Sequence, residues 1–207
     1  MVYEPLLSSR AFHEVKIMEF KDKNLMIKQY VRLGKFKAAL DLINEEIAAA
    51  PATAWFWAIK GWIHFEKKEY KAATIPFTEA LRLDPTASTT YFFLARCKEE
   101  TGDLKGAIAD YKASIKLKPK ADAMVNMGLI YEELGNYDAA SRMCNRAIKT
   151  DCTYKKAFIV LGLIERSVKK RDSAKRGGGL RKGMVSPIRG SGQTQKVPLR
   201  HRRIGVP

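Results

Sequence analysis

The segment Ala80-Leu-Arg-Leu-Asp-Pro85 recurs as Ser114-Ile-Lys-Leu-Lys-Pro119, and this sets a repeat period of about 34 residues between the two closing prolines. The aromatic residues Phe77 and Tyr111, which precede these segments, show the same separation. A fixed period sustained along a chain of 207 residues indicates a tandem array of one structural unit.

The residues between the recurring segments indicate what each unit is. Apolar residues recur at spacings of three and four, as in helices, and the pattern is interrupted once near the middle of each unit. In residues 121–148 the interruption is Leu134-Gly-Asn136, and Gly135 suits the left-handed backbone that ends a helix. A column of small residues would let the second helix approach the first; it comprises Gly61, Ala95, Gly128 and Gly162. Each unit is therefore predicted to be a pair of packed helices.

This pattern resembles the tetratricopeptide repeat, and residues 121–148 meet its small–aromatic–glycine–aromatic–alanine sequence almost in full. The resemblance covers residues 20–165 and implies an all-α, right-handed superhelical solenoid of antiparallel helix pairs. The expected organisation is an N-terminal arm (1–19), a solenoid (20–167) with units 20–53, 54–87, 88–120, 121–154 and a partial fifth from 155, and a disordered, flexible basic tail (168–207).

The positive charge is concentrated in the predicted tail. Residues 168–207 contain 12 Lys and Arg and a single acid, Asp172, in a chain whose net charge is +16. Such a tail would bind nucleic acid or anionic lipid without sequence specificity, and salt would weaken the binding. Alternatively, its charge has no selected role. The cations expected to take part are Lys169, Lys170, Arg171, Lys175, Arg176, Arg200, Arg202 and Arg203.

No set of residues with catalytic spacing is found in the sequence. The histidines His13, His64 and His201 lie in separate segments, and the three cysteines lack the spacing of metal ligands. We therefore expect no enzyme activity, no metal site and no cofactor. The odd number of cysteines favours a reducing compartment and hence the cytoplasm, while Lys169-Lys-Arg171 resembles a nuclear-import signal.

In the family that the pattern resembles, the first helix of each unit lines the concave face. The corresponding columns are mostly apolar and partly aromatic here, which is typical of peptide-binding grooves. The residues expected to contact a partner are Trp55, Trp62, Phe92, Val125 and Leu129, with Arg96 and Asn126 as polar contacts. The function predicted is that of a protein-interaction adaptor or scaffold. The alternatives are a nucleic-acid- or anionic-surface-associated protein and a self-assembling homo-oligomer.

Two charge patterns refine this prediction. The acidic pairs Glu99-Glu100 and Glu132-Glu133 would lie along one edge, where a basic segment, including the chain's own tail, would dock. By contrast, the clamp by which some relatives bind chaperone C-terminal tails retains only Asn126 and Lys156 in its best register. A chaperone tail is therefore not expected as a partner.

Overall fold

The computed structural model describes residues 23–179, with side chains as far as residue 174. The predicted N-terminal arm and the tail beyond residue 179 lie outside the described residues. Within them the chain forms nine α-helices and no strand. The helices are α1 (23–32, from the first described residue), α2 (Phe36–Ala49), α3 (Ala54–Glu66), α4 (Tyr70–Leu83), α5 (Ser88–Glu100), α6 (Leu104–Leu117), α7 (Ala121–Glu133), α8 (Tyr137–Thr150) and α9 (Lys155–Gly179).

The helices pack in pairs, as the interrupted apolar pattern predicts. Helix α3 packs against α4, α5 against α6 and α7 against α8, and successive pairs contact each other through α4–α5 and α6–α7. Local chemistry helps to set the starts of the second helices: the carboxylate of Asp103 accepts a hydrogen bond from the backbone N–H of Gly106, and Asn136 does the same for Ala139. The predicted all-α solenoid is confirmed.

The small-residue column brings the two helices of a pair close together. A Cβ atom built on Gly61 would lie 2.6 Å from the ring of Phe77, and one on Gly128 would lie 3.3 Å from the Sγ atom of Cys144. Both distances are below ordinary van der Waals contact. The second helix can therefore pack directly onto the backbone of the first.

The turn inside each complete unit uses one residue with a positive φ angle. Three units have glycine there, namely Gly34 (φ 69°), Gly102 (φ 86°) and Gly135 (φ 73°), whereas the second unit has Lys68 (φ 67°). Glycine adopts this conformation without a steric penalty, but a side chain with a Cβ atom does not. The second unit therefore carries local backbone strain that the others avoid.

Replacing Lys68 by glycine is expected to raise the free energy of unfolding by about 1 kcal/mol, because it removes this strain at some cost in unfolded-chain entropy. Urea denaturation followed by circular dichroism measures the change. Lys67→Gly, at the neighbouring position of right-handed backbone, is the control and should destabilise. A loss of stability in Lys68→Gly would show that the lysine side chain contributes more than its backbone costs.

The chain divides into two units, one ending at Val168 and the other beginning at Lys169. Residues 169–179, predicted to belong to the flexible tail, are helical and form the last part of α9. Lys169 lies one repeat period after Gly135, in the column where each complete unit turns, yet the chain does not turn there. The helix formers Ala174, Lys175 and Arg176 follow it, which favours continued helix.

Candidate functional site

A cleft of about 310 Å³ opens between helices α1, α3 and α5. Its position agrees with the concave columns identified in the sequence, because all of its lining residues except Phe77 come from the first helices of three successive units. The lining residues are Asn24, Lys28, Trp55, Ala58, Ile59, Trp62, Phe77, Thr89, Thr90 and Phe93. The cleft therefore has apolar and aromatic walls with an amine and an amide supplied by α1.

The chain's three tryptophans all lie in α3, but they face different ways. Trp55 and Trp62 line the cleft; Trp55 is 41% exposed, and Trp62 packs against the apolar residues beneath it. Trp57 is outside the lining, and its indole Nε1–H donates a 2.8 Å hydrogen bond to the carbonyl of Pro51. Two of the three indoles can therefore contact a ligand in the cleft.

A stack of phenylalanine rings supports the base of the cleft. Phe93 lies parallel to Phe77 with ring centroids 6.0 Å apart, and it meets Phe65 edge-on at 5.2 Å. Phe92, which the repeat columns predict as the contact residue, instead packs against Tyr111 at 5.9 Å and is half-buried. Sequence reasoning thus missed Phe93 as a wall of the cleft. The signal for it was the repeat period, because Phe93 lies 34 residues after Ile59, which also lines the cleft.

The proposed contacts of the third and fourth units are partly covered. Val125 is completely buried and offers no surface to a partner, which corrects its assignment as a groove contact. Asn126 is also buried, while Leu129 is half-buried against the core. Arg96 is half-exposed, and its guanidinium lies 4.6 Å from the centroid of the Phe65 ring. Of these four residues, Arg96 and Leu129 retain exposed surface.

A chain of hydrogen bonds links α5, α7 and α9, the first helices of the last three units, through Tyr111 of α6. Lys156 of α9 donates to the side-chain oxygen of Asn126 (3.0 Å), whose amide nitrogen donates to the hydroxyl of Tyr111 (3.4 Å). Tyr111 in turn donates to the carboxylate of Glu99 at 2.7 Å. Asn126 therefore satisfies its buried polar atoms within the protein. Its side chain connects neighbouring units rather than binding a ligand.

Burial raises the pKa of the Glu99 carboxyl above its ordinary value of 4.5, and the hydrogen bond from Tyr111 and the charge of Arg96 only partly offset this effect. Because the pKa is higher in the folded state, folding favours the protonated form. The stability that this proton contributes is present at low pH and is lost as pH rises above 4.5 through the raised pKa.

We expect the stability of the native protein, relative to a Glu99→Gln variant, to fall as pH rises from 4.5 to neutrality. Glutamine keeps an oxygen that accepts from Tyr111 but carries no charge to desolvate. Urea denaturation at a series of pH values measures the difference, with Glu133→Gln, an exposed position on α7, as the control. Parallel pH profiles for native protein and Glu99→Gln would contradict the raised pKa.

The predicted acidic edge is less uniform than the sequence suggests. Glu99 is bonded inward to Tyr111, and Glu132 accepts a 3.1 Å hydrogen bond from the hydroxyl of Ser167. Glu100 and Glu133 are exposed. Among the predicted tail cations, Lys169, Lys170 and Arg171 are exposed on α9. The side chains of Lys175 and Arg176, and all of Arg200, Arg202 and Arg203, lie outside the described residues, so docking of the tail stays a prediction.

The other described residues with reactive side chains are the three cysteines and His64. Burial raises the pKa of the Cys97 thiol to about 12 and that of Cys144 to about 11, whereas Cys152 is exposed. His64 Nδ1 lies 2.8 Å from the carboxylate of Glu69. Between residues 23 and 179, no three His, Cys, Asp or Glu side chains come together as a metal site would require. In the same range, no helix has the length and apolar content needed to cross a membrane.

Comparison with known proteins agrees with this architecture. Family models described as tetratricopeptide repeat match residues 25–88, 88–120 and 121–151. The BBSome complex member bbs-4 of Caenorhabditis elegans is 28% identical over 151 residues, which are 69% of this chain and 33% of that protein. The chain thus spans about a third of that relative.

Solved structures give the same fold. A crystal structure of MamA superposes with a TM-score of 0.65 at 21% identity, covering 72% of this chain and 88% of MamA. The structure of YrrB, described as a TPR protein with an unusual peptide-binding site, superposes with a TM-score of 0.57 at 22% identity, covering 64% of this chain and 69% of YrrB.

Proposed function

The chain belongs to the tetratricopeptide-repeat family, and from this we propose that it acts as a protein-interaction scaffold whose cleft between α1, α3 and α5 binds a peptide segment of a partner protein. The observation that carries the proposal is the clustering of Trp55, Trp62 and Phe93 around one opening on the first helices of two successive units. Aromatic side chains in a concave setting provide much of the energy of peptide binding. The description of bbs-4 as a member of a complex supports a role in assembly.

The chemistry of the cleft narrows the class of peptide. Its walls are apolar, so an aliphatic or aromatic side chain is the expected anchor. Lys28 and Asn24 offer one positive charge and one amide for a carboxylate or backbone carbonyl beside that anchor. When the chaperone-tail clamp is aligned from the first unit, Ile59 occupies the position that needs an asparagine, and Thr89 and Phe93 occupy the two that need cations. The proposed ligand is therefore an internal or terminal segment with an apolar anchor, and not an acidic chaperone tail.

Intrinsic fluorescence provides a direct test, because every tryptophan of the chain is in α3. Peptides selected from a random display library against the full chain are titrated while tryptophan emission is recorded. We expect a change in emission with the native chain and at least a tenfold weaker affinity for Trp55→Ala and Trp62→Ala, corresponding to about 1.4 kcal/mol. Ile75→Ala, a 72% exposed apolar position on α4 outside the cleft, is the matched control.

The same titration separates the alternatives. Groove binding should persist at about 0.3 M salt, whereas binding of nucleic acid or anionic lipid through the tail cations should fall by orders of magnitude. Peptide affinities that are equal for native chain, Trp55→Ala and Trp62→Ala would contradict the groove. A sedimentation coefficient that rises with protein concentration and returns to the monomer value in these variants would favour self-assembly.

A further inference from the structure

Helix α9 has one buried side and one open side. Ala157, Val160 and Ile164 are buried against the preceding helices, whereas Phe158 and Ile159 are 50% and 46% exposed. The exposed and half-exposed residues of the opposite side form what we call the open face; they are Lys155, Phe158, Ile159, Gly162, Leu163 and Arg166. A soluble helix normally keeps its large apolar residues on one side, so this second apolar surface requires an explanation.

The repeat period supplies the explanation. Phe158 lies one period after Met124, which is 0% exposed, and Gly162 lies one period after Gly128. A Cβ atom on Gly128 would meet Cys144 of the paired helix at 3.3 Å, but a Cβ atom on Gly162 would meet nothing within 4 Å. At Phe158 and Gly162 the open face thus repeats the surface that holds a second helix in the fourth unit. No described residue covers it.

The charges indicate which kind of helix fits. Lys155 and Arg166 lie on the open face, and Glu165 is the single acid among residues 155–168. Residues 168–207 carry 12 basic residues against one acid, and a second copy of the chain would bring a net charge of +16. Like charges oppose both occupants, whereas an acidic helix would be attracted.

We propose that the open face of α9 binds an acidic amphipathic helix of another protein, which completes the fifth unit as α8 completes the fourth. This surface is separate from the cleft, whose lining includes no residue of α9. The close approach at Gly162 requires a small side chain or backbone on the partner helix, as Ala140 provides opposite Gly128. The partner's acidic residues would lie on the side of its helix that stays exposed, within electrostatic range of Lys155 and Arg166.

The test uses two fluorescein-labelled peptides that copy Asn136–Asp151, the second helix of the fourth unit. Both carry Cys144→Ala and a hydrocarbon cross-link on the outer side, so that they are helical before binding. In the acidic peptide, the exposed residues Arg142, Arg146 and Lys149 are changed to glutamate; in the basic peptide they are kept. Fluorescence anisotropy with the full chain should show saturable binding of the acidic peptide, at least about tenfold tighter than that of the basic one.

Two variants of the full chain identify the site. Gly162→Leu places a side chain where the peptide must approach; because the position is open, the chain should fold normally and lose at least about tenfold in affinity. Lys155→Glu should weaken binding of the acidic peptide and strengthen binding of the basic one. Ile75→Ala, a 72% exposed position on α4 outside both surfaces, is the control and should leave the affinity unchanged.

Three results would overturn the proposal. One is the absence of saturable binding by the acidic peptide, and another is an affinity that Gly162→Leu does not change. The third is evidence of a different occupant: a dimer that Gly162→Leu dissociates would indicate a second copy. Likewise, a tenfold gain in peptide affinity on changing Arg200, Arg202 and Arg203 to serine would indicate that the tail already covers the face.

Discussion

Replacing Gly61 by alanine is expected to lower the free energy of unfolding by about 3 kcal/mol. The added Cβ atom would lie 2.6–2.8 Å from three carbons of the Phe77 ring, far inside van der Waals contact. The ring cannot easily move, because it is 1% exposed and stacked on Phe93. The pair α3–α4 would have to separate, and the apolar residues between them would lose contact.

Gly162→Ala is the matched control, since it makes the same substitution in the same repeat column. No atom lies within 4 Å of its added Cβ, and alanine favours helix over glycine by up to about 1 kcal/mol. We therefore expect Gly162→Ala to be as stable as the native protein or more so. Urea denaturation followed by circular dichroism measures both variants. Equal destabilisation would mean that glycine in this column serves the helix backbone and not the contact between helices.

Replacing Tyr111 by phenylalanine is expected to destabilise the protein by about 2 kcal/mol. The change removes only the hydroxyl, which is completely buried and donates to Glu99 while accepting from Asn126. Glu99 and Asn126 then each lose a hydrogen bond at a buried position, where water does not readily replace it. The cost should be largest where Glu99 is ionised, above its raised pKa.

Tyr154→Phe tests the same chemical change at a position that is partly exposed to solvent. The hydroxyl of Tyr154 donates to Asp122, whose side chain is exposed, so water can replace the lost bond. We expect a loss below about 1 kcal/mol. The comparison is made by thermal and urea denaturation of both variants in one buffer. Losses of similar size would show that the hydrogen-bond chain from Lys156 to Glu99 adds nothing beyond an ordinary surface bond.

The repeat period accounts for how much of the fold the sequence predicts. The small residues Gly61, Ala95 and Gly128 recur at the repeat period and mark where the two helices of a unit meet, because every unit packs its helices in the same way. The helix pairs and the all-α class follow from these columns. The continuation of α9 past Lys169 does not, because Lys68 shows that a lysine in the same column can also turn.

The candidate site was predicted less completely, for a geometric reason. The repeat columns predicted a groove on the first helices, and a cleft lies between α1, α3 and α5, but its third-unit wall is Phe93 and not the adjacent Phe92. Likewise, Val125 is completely buried although it belongs to a column predicted to face outward. Neighbouring residues in a helix point about 100° apart, and a small rotation of a helix between its neighbours decides which of them faces the groove. A repeat period does not specify that rotation.

The buried apolar side chains of the described residues form three clusters: one joins α1, α2 and α3, one joins α3, α4 and α5, and the third extends from α5 to α9, with Trp62 packed against the first two. In such an arrangement damage stays local, because each cluster depends mainly on its immediate neighbours. A lesion in the second unit would open the cleft while leaving the helices around Tyr111 assembled. A cell would then hold a protein that keeps the proposed helix-binding face of α9 and has lost the proposed peptide-binding cleft, rather than one that is simply absent.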